Sequence, residues 1–129
     1  METVEDGYSA AALDHLARPR NAGTLSDPSG TGADANPSCG DRTTITIRVE
    51  GGRVSDVRFR TFGCTAAIAA ASVLTELAGG LPVDEAAKLE PADILNALGG
   101  LPRRKEPCAL MAIGALRGAL IDARVRATA

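Results

Sequence analysis

Between Thr43 and Phe62 the chain alternates apolar and polar residues, pauses at a pair of glycines, and resumes the alternation. Few folds accommodate that pattern. Ile45, Ile47 and Val49 stand against Thr44, Thr46 and Arg48 in the first run, and Val57 and Phe59 against Arg58 and Arg60 in the second. A period of two belongs to a half-buried strand, and Glu50-Gly51-Gly52-Arg53 is a tight-turn sequence, so the two runs predict an antiparallel hairpin. At Cys64 the period changes. From Thr65 to Ala78 the residues Ile68, Ala71, Leu74, Leu77 and Ala78 recur at helical spacing, and Gly79-Gly80 ends the helix.

The hairpin is flanked by helical patterns. Ala12, Leu13 and Leu16 predict a short helix over Tyr8 to Ala17, stopped by Pro19 and Asn21-Ala22-Gly23. The stretch 24–38 is rich in Gly, Ser, Asp and Pro and reads as a mobile loop, with room for one weak edge strand. Downstream come a small helix from Asp84, another over Pro91 to Leu98, and a last one from Pro107 to about Arg126. Its expected buried stripe is Leu110, Ile113, Leu116 and Leu120. Neither an internal repeat nor an interdomain linker interrupts the order. The expectation is a single α+β domain over 1–129, a small antiparallel sheet of about three strands packed against helices. Aromatic residues are only 2% of the chain, so this core must be built from Ala, Leu, Ile and Val at close backbone approach.

Several function classes are disfavoured. The formal net charge is −2 and the one basic cluster, Arg103-Arg104-Lys105, is too short for a nucleic-acid footprint. As a bland alternative, three adjacent charges in a loop are simply solvated. No run approaches the roughly 20 apolar residues of a membrane span. Met1 to Ala12 carries acids where a secretory signal has basic residues. The three cysteines would leave one thiol over in a disulfide framework, which points to a reducing cytoplasm.

Those cysteines each lie where one element gives way to another. Cys39 precedes the first strand, Cys64 closes the second at a helix start, and Cys108 follows Pro107 at the last helix start. Cys39 and Cys64 are 25 residues apart and Cys64 and Cys108 are 44, so no short C-x-x-C pairing is present and only the fold brings them together. An antiparallel pair places Cys39 and Cys64 at neighbouring strand ends. Helix N-termini favour the thiolate, the form that binds metal. Asp41 adds a carboxylate on the strand face of Cys39, and Gly40 allows close backbone approach. Taken singly, each cysteine reads as a small core residue and Asp41 as a turn residue; jointly, Cys39, Asp41, Cys64 and Cys108 read as a metal site of three thiolates and one oxygen.

At these residues the chain resembles the IscU/NifU family of iron–sulfur cluster assembly scaffolds, from about Tyr8 to about Arg124. Tyr8-Ser9, Asp14-His15 and Pro19-Arg20-Asn21-Ala22-Gly23 are similar to its opening helix and turn. Asn36-Pro37-Ser38-Cys39-Gly40-Asp41, Arg58-Phe59-Arg60-Thr61-Phe62-Gly63-Cys64 and Cys108-Ala109-Leu110 are similar to its three cysteine motifs. The resemblance implies a non-enzymatic scaffold that takes sulfur from a cysteine desulfurase, assembles a transient [2Fe–2S] cluster from iron, and passes it to apo iron–sulfur acceptor proteins. It implies Cys39, Cys64 and Cys108 as cluster ligands and sulfur acceptors, Asp41 as the acid that keeps the cluster labile, and zinc as an alternative occupant. A zinc-dependent sulfurtransferase acting with a desulfurase is the second reading; only Lys105 offers it a base beside a thiol. A domain merely stapled by zinc is the third.

Two positions depart from the family pattern. Pro107 stands where many members have His before the third cysteine, leaving Asp41, Lys105, Glu106 or a water to complete the shell. The loop that docks an Hsp70-type chaperone in one branch, Leu-Pro-Pro-Val-Lys, reads Leu101-Pro102-Arg103-Arg104-Lys105, which weighs against that partner. His15, the single histidine, is expected in a structural or partner-facing role.

Overall fold

The computed structural model describes residues 7–36 and 40–128. The elements run α1 (Ala10–Ala17), β1 (Gly30–Asn36), β2 (Asp41–Glu50), β3 (Arg53–Phe62), α2 (Thr65–Ala78), α3 (Val83–Ala86), α4 (Pro91–Leu98), a single 3₁₀ turn (Arg103–Lys105) and α5 (Pro107–Ala127). The strands form one antiparallel sheet in the order β1-β2-β3. α2 and α5 pack on its inner face, with α1 and α4 against α2. This is the α+β arrangement expected from the sequence. Among the described residues no helix is long and apolar enough to cross a membrane.

The hairpin closes through Gly51 and Gly52, both at positive φ, which a two-residue turn of this hand requires. Beyond it the register shifts at Arg48 and Val49. That bulge has a packing consequence: Val54 and Val57 are an odd number of residues apart, yet both are buried, because the extra residue resets which face points inward. With Ile45, Ile47 and Phe59 they form the sheet's share of the core. The outer edge of β3 does not stay open. Asn21 and Gly23 exchange backbone hydrogen bonds with Phe59, and Gly80 and Leu81 with Val54, which blunts an edge that would otherwise pair with another chain.

α2 is buried on nearly all sides rather than along one stripe. Ala66, Ala67, Ala69, Ala70, Val73 and Thr75 are buried as well as Ala71, Leu74 and Ala78, while Ile68 and Leu77 lie half out. The run of alanines lets neighbouring backbones come close on several faces. Its two buried polar positions hold α1 and the turn after it. The Ser72 hydroxyl accepts from the Arg20 N–H at 2.8 Å and meets His15 Nδ1 at 2.7 Å; the Asn21 amide donates to Thr75 Oγ1 at 3.0 Å. His15 Nε2 faces Glu76 Oε1 at 3.4 Å, so the single histidine pins α1 to α2.

Two sequence expectations change. The stretch 24–38 is not loop throughout: residues 30–36 form β1, paired with β2 from Gly30↔Ile47 to Asn36↔Asp41. Its buried positions are glycines. A Cβ on Gly30 or Gly32 would fall inside 3.0 Å of the α5 backbone at Ala115, Ala119 or Ala123, so this edge strand lies backbone-first on the helix and shows no hydropathy pattern. The same contact rotates α5. Ala112, Ala115, Ala119 and Ala123 join Ile113, Leu116 and Leu120 inside, and Leu110 is 60% exposed instead of buried.

Two outcomes follow from this packing. Gly32→Ala should lower unfolding stability by about 2–3 kcal/mol in urea titrations, since the clash is with helix backbone; an unchanged midpoint would mean β1 does not seat on α5. His15 is held below its ordinary range chiefly by burial and secondarily by Arg20, against the opposing pull of Glu76 and Asp14. The folded state therefore binds its proton less readily than the unfolded chain. Stability should be complete above about pH 6.5 and fall as pH drops below it, with His15→Gln flattening the dependence of melting temperature on pH in that window.

Candidate metal centre

Three element ends meet at one point. Asp41 opens β2, Cys64 is the N-cap of α2 directly after β3, and Cys108 is the second residue of α5 behind Pro107. Arg42 pairs with Phe62, so the sheet register alone brings Asp41 opposite Gly63 and Cys64. Asp41 Oδ1 accepts the Cys64 N–H at 3.0 Å, while Oδ2 lies 3.2 Å from Cys64 Sγ and 3.8 Å from Cys108 Sγ. The two sulfurs are 3.7 Å apart. Both cysteines are free, since a disulfide holds its sulfurs at about 2.05 Å.

Asp41 is only 2% exposed, and Cys108 is buried while Cys64 is half-exposed. Gly63 makes this approach possible. It sits at φ +133, and a Cβ there would fall inside 3.0 Å of Asp41 Oδ1. The sequence carries this signal, a glycine at the strand end immediately before a cysteine, but not its meaning, which is clearance for a side chain 22 positions upstream. Behind Cys64, Thr65 Oγ1 donates to the Tyr8 hydroxyl at 3.0 Å, fastening the first turn of α2 to the segment before α1.

Burial, and after it the neighbouring Cys64, push the Cys108 thiol well above its ordinary range, with Lys105 acting in the opposite direction. The helix start was expected to favour the thiolate; desolvation and the second sulfur outweigh it. A soft cation would reverse the balance, because it takes the place of the thiol proton.

The donor set fits such a cation. Two thiolates bound at about 2.3 Å to one tetrahedral ion stand about 3.8 Å apart, close to the separation here before any ion is added. All three ligand atoms lie within 4.8 Å of one another. Of the residues singled out in the sequence, Asp41, Cys64 and Cys108 are thus brought together, and Cys39 lies outside the described residues. Glu106 is exposed beside the site.

Gly63→Ala should displace the Asp41 carboxylate and weaken Co²⁺ binding at least about tenfold, a scale typical of changes to groups that orient metal ligands. Titration of the cobalt–thiolate absorption measures it; affinity equal to that of the unaltered chain would show that the carboxylate takes no part.

The profile of the NifU-like N-terminal domain family matches residues 7–129. The iron–sulfur cluster assembly scaffold protein IscU 1 of Archaeoglobus fulgidus is 46% identical over 115 residues, covering 89% of this chain and 75% of that protein. The IscU scaffold protein of Aquifex aeolicus is 44% identical over 117 residues, covering 89% and 74%. In three dimensions, the crystal structure of the N-terminal part of a NifU-like protein from Brucella abortus superposes with a TM-score of 0.73 at 18% identity, covering 91% of this chain and 94% of that one, a likeness of fold. A family match across nearly the whole length, on a sheet-and-helix frame that gathers two cysteines and a carboxylate, identifies the chain as a member of the NifU-like N-terminal domain family.

Proposed function

We propose that the chain is a single-domain scaffold for iron–sulfur cluster assembly. In this reading Cys39, Cys64 and Cys108 hold a transient [2Fe–2S] cluster as cargo, with Asp41 beside it. A cysteine desulfurase supplies the sulfur and apo iron–sulfur proteins take the product. The observation that carries it is the convergence of Asp41, Cys64 and Cys108 from three element ends onto one soft-metal donor set. Relatives named as IscU scaffolds and as NifU support it.

Each residue has a task in that scheme. Of the two described thiols Cys64 is the half-exposed one, and an incoming sulfur donor reaches it before Cys108. Cys108, buried at the start of α5, holds its sulfur in fixed relation to Cys64. Asp41 is a hard oxygen donor among soft sulfurs, a poor match for cluster iron, and so keeps the cargo exchangeable. Zinc suits the same donors and is the expected occupant when no cluster is present. Two free thiols this close call for a reducing compartment, in keeping with the cytoplasm.

Anaerobic reconstitution with ferrous iron, a cysteine desulfurase and free cysteine tests the proposal. The chain should gain visible cluster absorption that an apo-acceptor removes. Cys39→Ser, Cys64→Ser and Cys108→Ser should each abolish it, whereas Asp41→Ala should lengthen the cluster's lifetime. Persulfide turnover without iron, or normal loading of the serine variants, would refute the scaffold reading.

A further inference from the structure

The arginines of this chain divide into two groups. Arg18, Arg20, Arg58, Arg117 and Arg126 pair with carboxylates, and Arg48 and Arg53 donate to backbone carbonyls. Among the described residues Arg42, Arg60, Arg103, Arg104 and Arg124 make no such contact. The first four of these lie no more than five residues along the chain from Asp41, Cys64 or Cys108. All four are exposed.

Arg42 and Arg60 are diagonal neighbours on the outer face of the sheet, since Arg42 pairs with Phe62 and Arg60 with Thr44. They line an open groove of ≈ 390 Å³ together with Phe62. Phe62 is 78% exposed, two residues before Cys64, and is one of three aromatic residues in the chain. Arg103 and Arg104 occupy the 3₁₀ turn that leads into α5 and Cys108. An exposed aromatic ring among uncommitted guanidiniums is the composition of a protein-binding surface, here within five residues along the chain of the metal-centre side chains, in a molecule whose net charge is negative.

We propose that Arg42, Arg60, Arg103, Arg104 and Phe62 form a docking rim for the cluster acceptor, and that the acceptor presents carboxylates around an apolar pocket for Phe62. The proposal rests on the scaffold reading and adds the chemistry of the partner. An acceptor protein suits the rim better than a nucleic acid does. Four arginines and a lone ring make too small a footprint for a phosphate backbone, and acceptor thiolates add negative charge at the point of contact. The transfer is a ligand exchange: acceptor thiolates replace Cys64, Cys108 and the other scaffold ligands on iron, the [2Fe–2S] core moves intact, and no electrons are exchanged. Protons leave the acceptor thiols as the scaffold thiolates regain theirs.

The probe is the apo form of an acidic plant-type [2Fe–2S] ferredoxin. With cluster-loaded chain, the second-order transfer rate should fall steeply as salt rises, and the double variants R42E/R60E and R103E/R104E should each slow it at least tenfold at low salt while flattening the salt dependence, the range that electrostatic steering commands. R42K/R60K should retain most of the rate, and cluster loading should be unaffected in all variants. Calorimetric binding of the cluster-free chain to the same apo-ferredoxin should weaken in parallel. Salt-insensitive transfer, or charge-reversed variants that bind and transfer like the unaltered chain, would overturn the rim. A chain that takes up no cluster yet binds the ferredoxin through these arginines would refute the scaffold reading and leave the rim standing; preferential, arginine-dependent binding of an oligonucleotide over the ferredoxin would refute the rim.

Discussion

A carboxylate on a residue only 2% exposed has to be compensated where it stands, and the Asp41 carboxylate organises this structure. Among the described residues the polar groups that reach it are the Cys64 N–H and the two thiols, and thiols are weak hydrogen-bond donors. One oxygen ties the start of β2 to the start of α2, and the other looks toward the sulfurs of α2 and α5. A soft cation at this point would satisfy the carboxylate and both sulfurs together, and would join three elements that come from distant parts of the chain. With the cargo held by these three residues, as proposed, loading and unloading would change local stability as well.

The frame that presents these ends is built from small residues. With three aromatic rings in the whole sequence, apolar surface is buried mainly by letting backbones approach. α2 contributes six alanines and α5 turns alanines toward β1, whose glycines lie directly on the helix backbone. Such contacts leave no slack. A single added methyl group has nowhere to go, whereas a core of long aliphatic chains can redistribute one. The position of Cys108 depends on this seating, because α5 carries it and β1 and β2 locate α5.

The hairpin and α2 were legible in the sequence because both announce themselves by a change of period, and Gly51-Gly52 and Gly79-Gly80 punctuate them. β1 was legible only as room for a weak edge strand in a stretch that reads as loop, for a physical reason. A strand that buries Gly30 and Gly32 through backbone contact leaves no apolar signature and looks like linker. Leu110 misled in the opposite sense: it has the strongest hydropathy of its turn, but the sheet faces the alanine side of α5. Asp41, Cys64 and Cys108 could be grouped because element ends converge in a hairpin-and-helix fold. The state of the Cys108 thiol could not, since a helix start is visible in sequence and desolvation is not.

Net charge behaves in the same way. A value of −2 discourages the idea of a nucleic-acid surface, yet it averages over a molecule whose charges are sorted. Screening at physiological salt confines each exposed charge to about 8 Å, so an approaching protein responds to the residues it faces and not to the total. Here most acids with arginine partners lie on α1, α2, β3 and α5, and none of them belongs to the turn that leads into Cys108. Arg42, Arg60, Arg103 and Arg104, close along the chain to Asp41, Cys64 and Cys108, are in no ion pair among the described residues. If these arginines dock the acceptor, a slightly acidic chain meets its partner through this local charge, ordered by sheet register and the 3₁₀ turn, and not through its total.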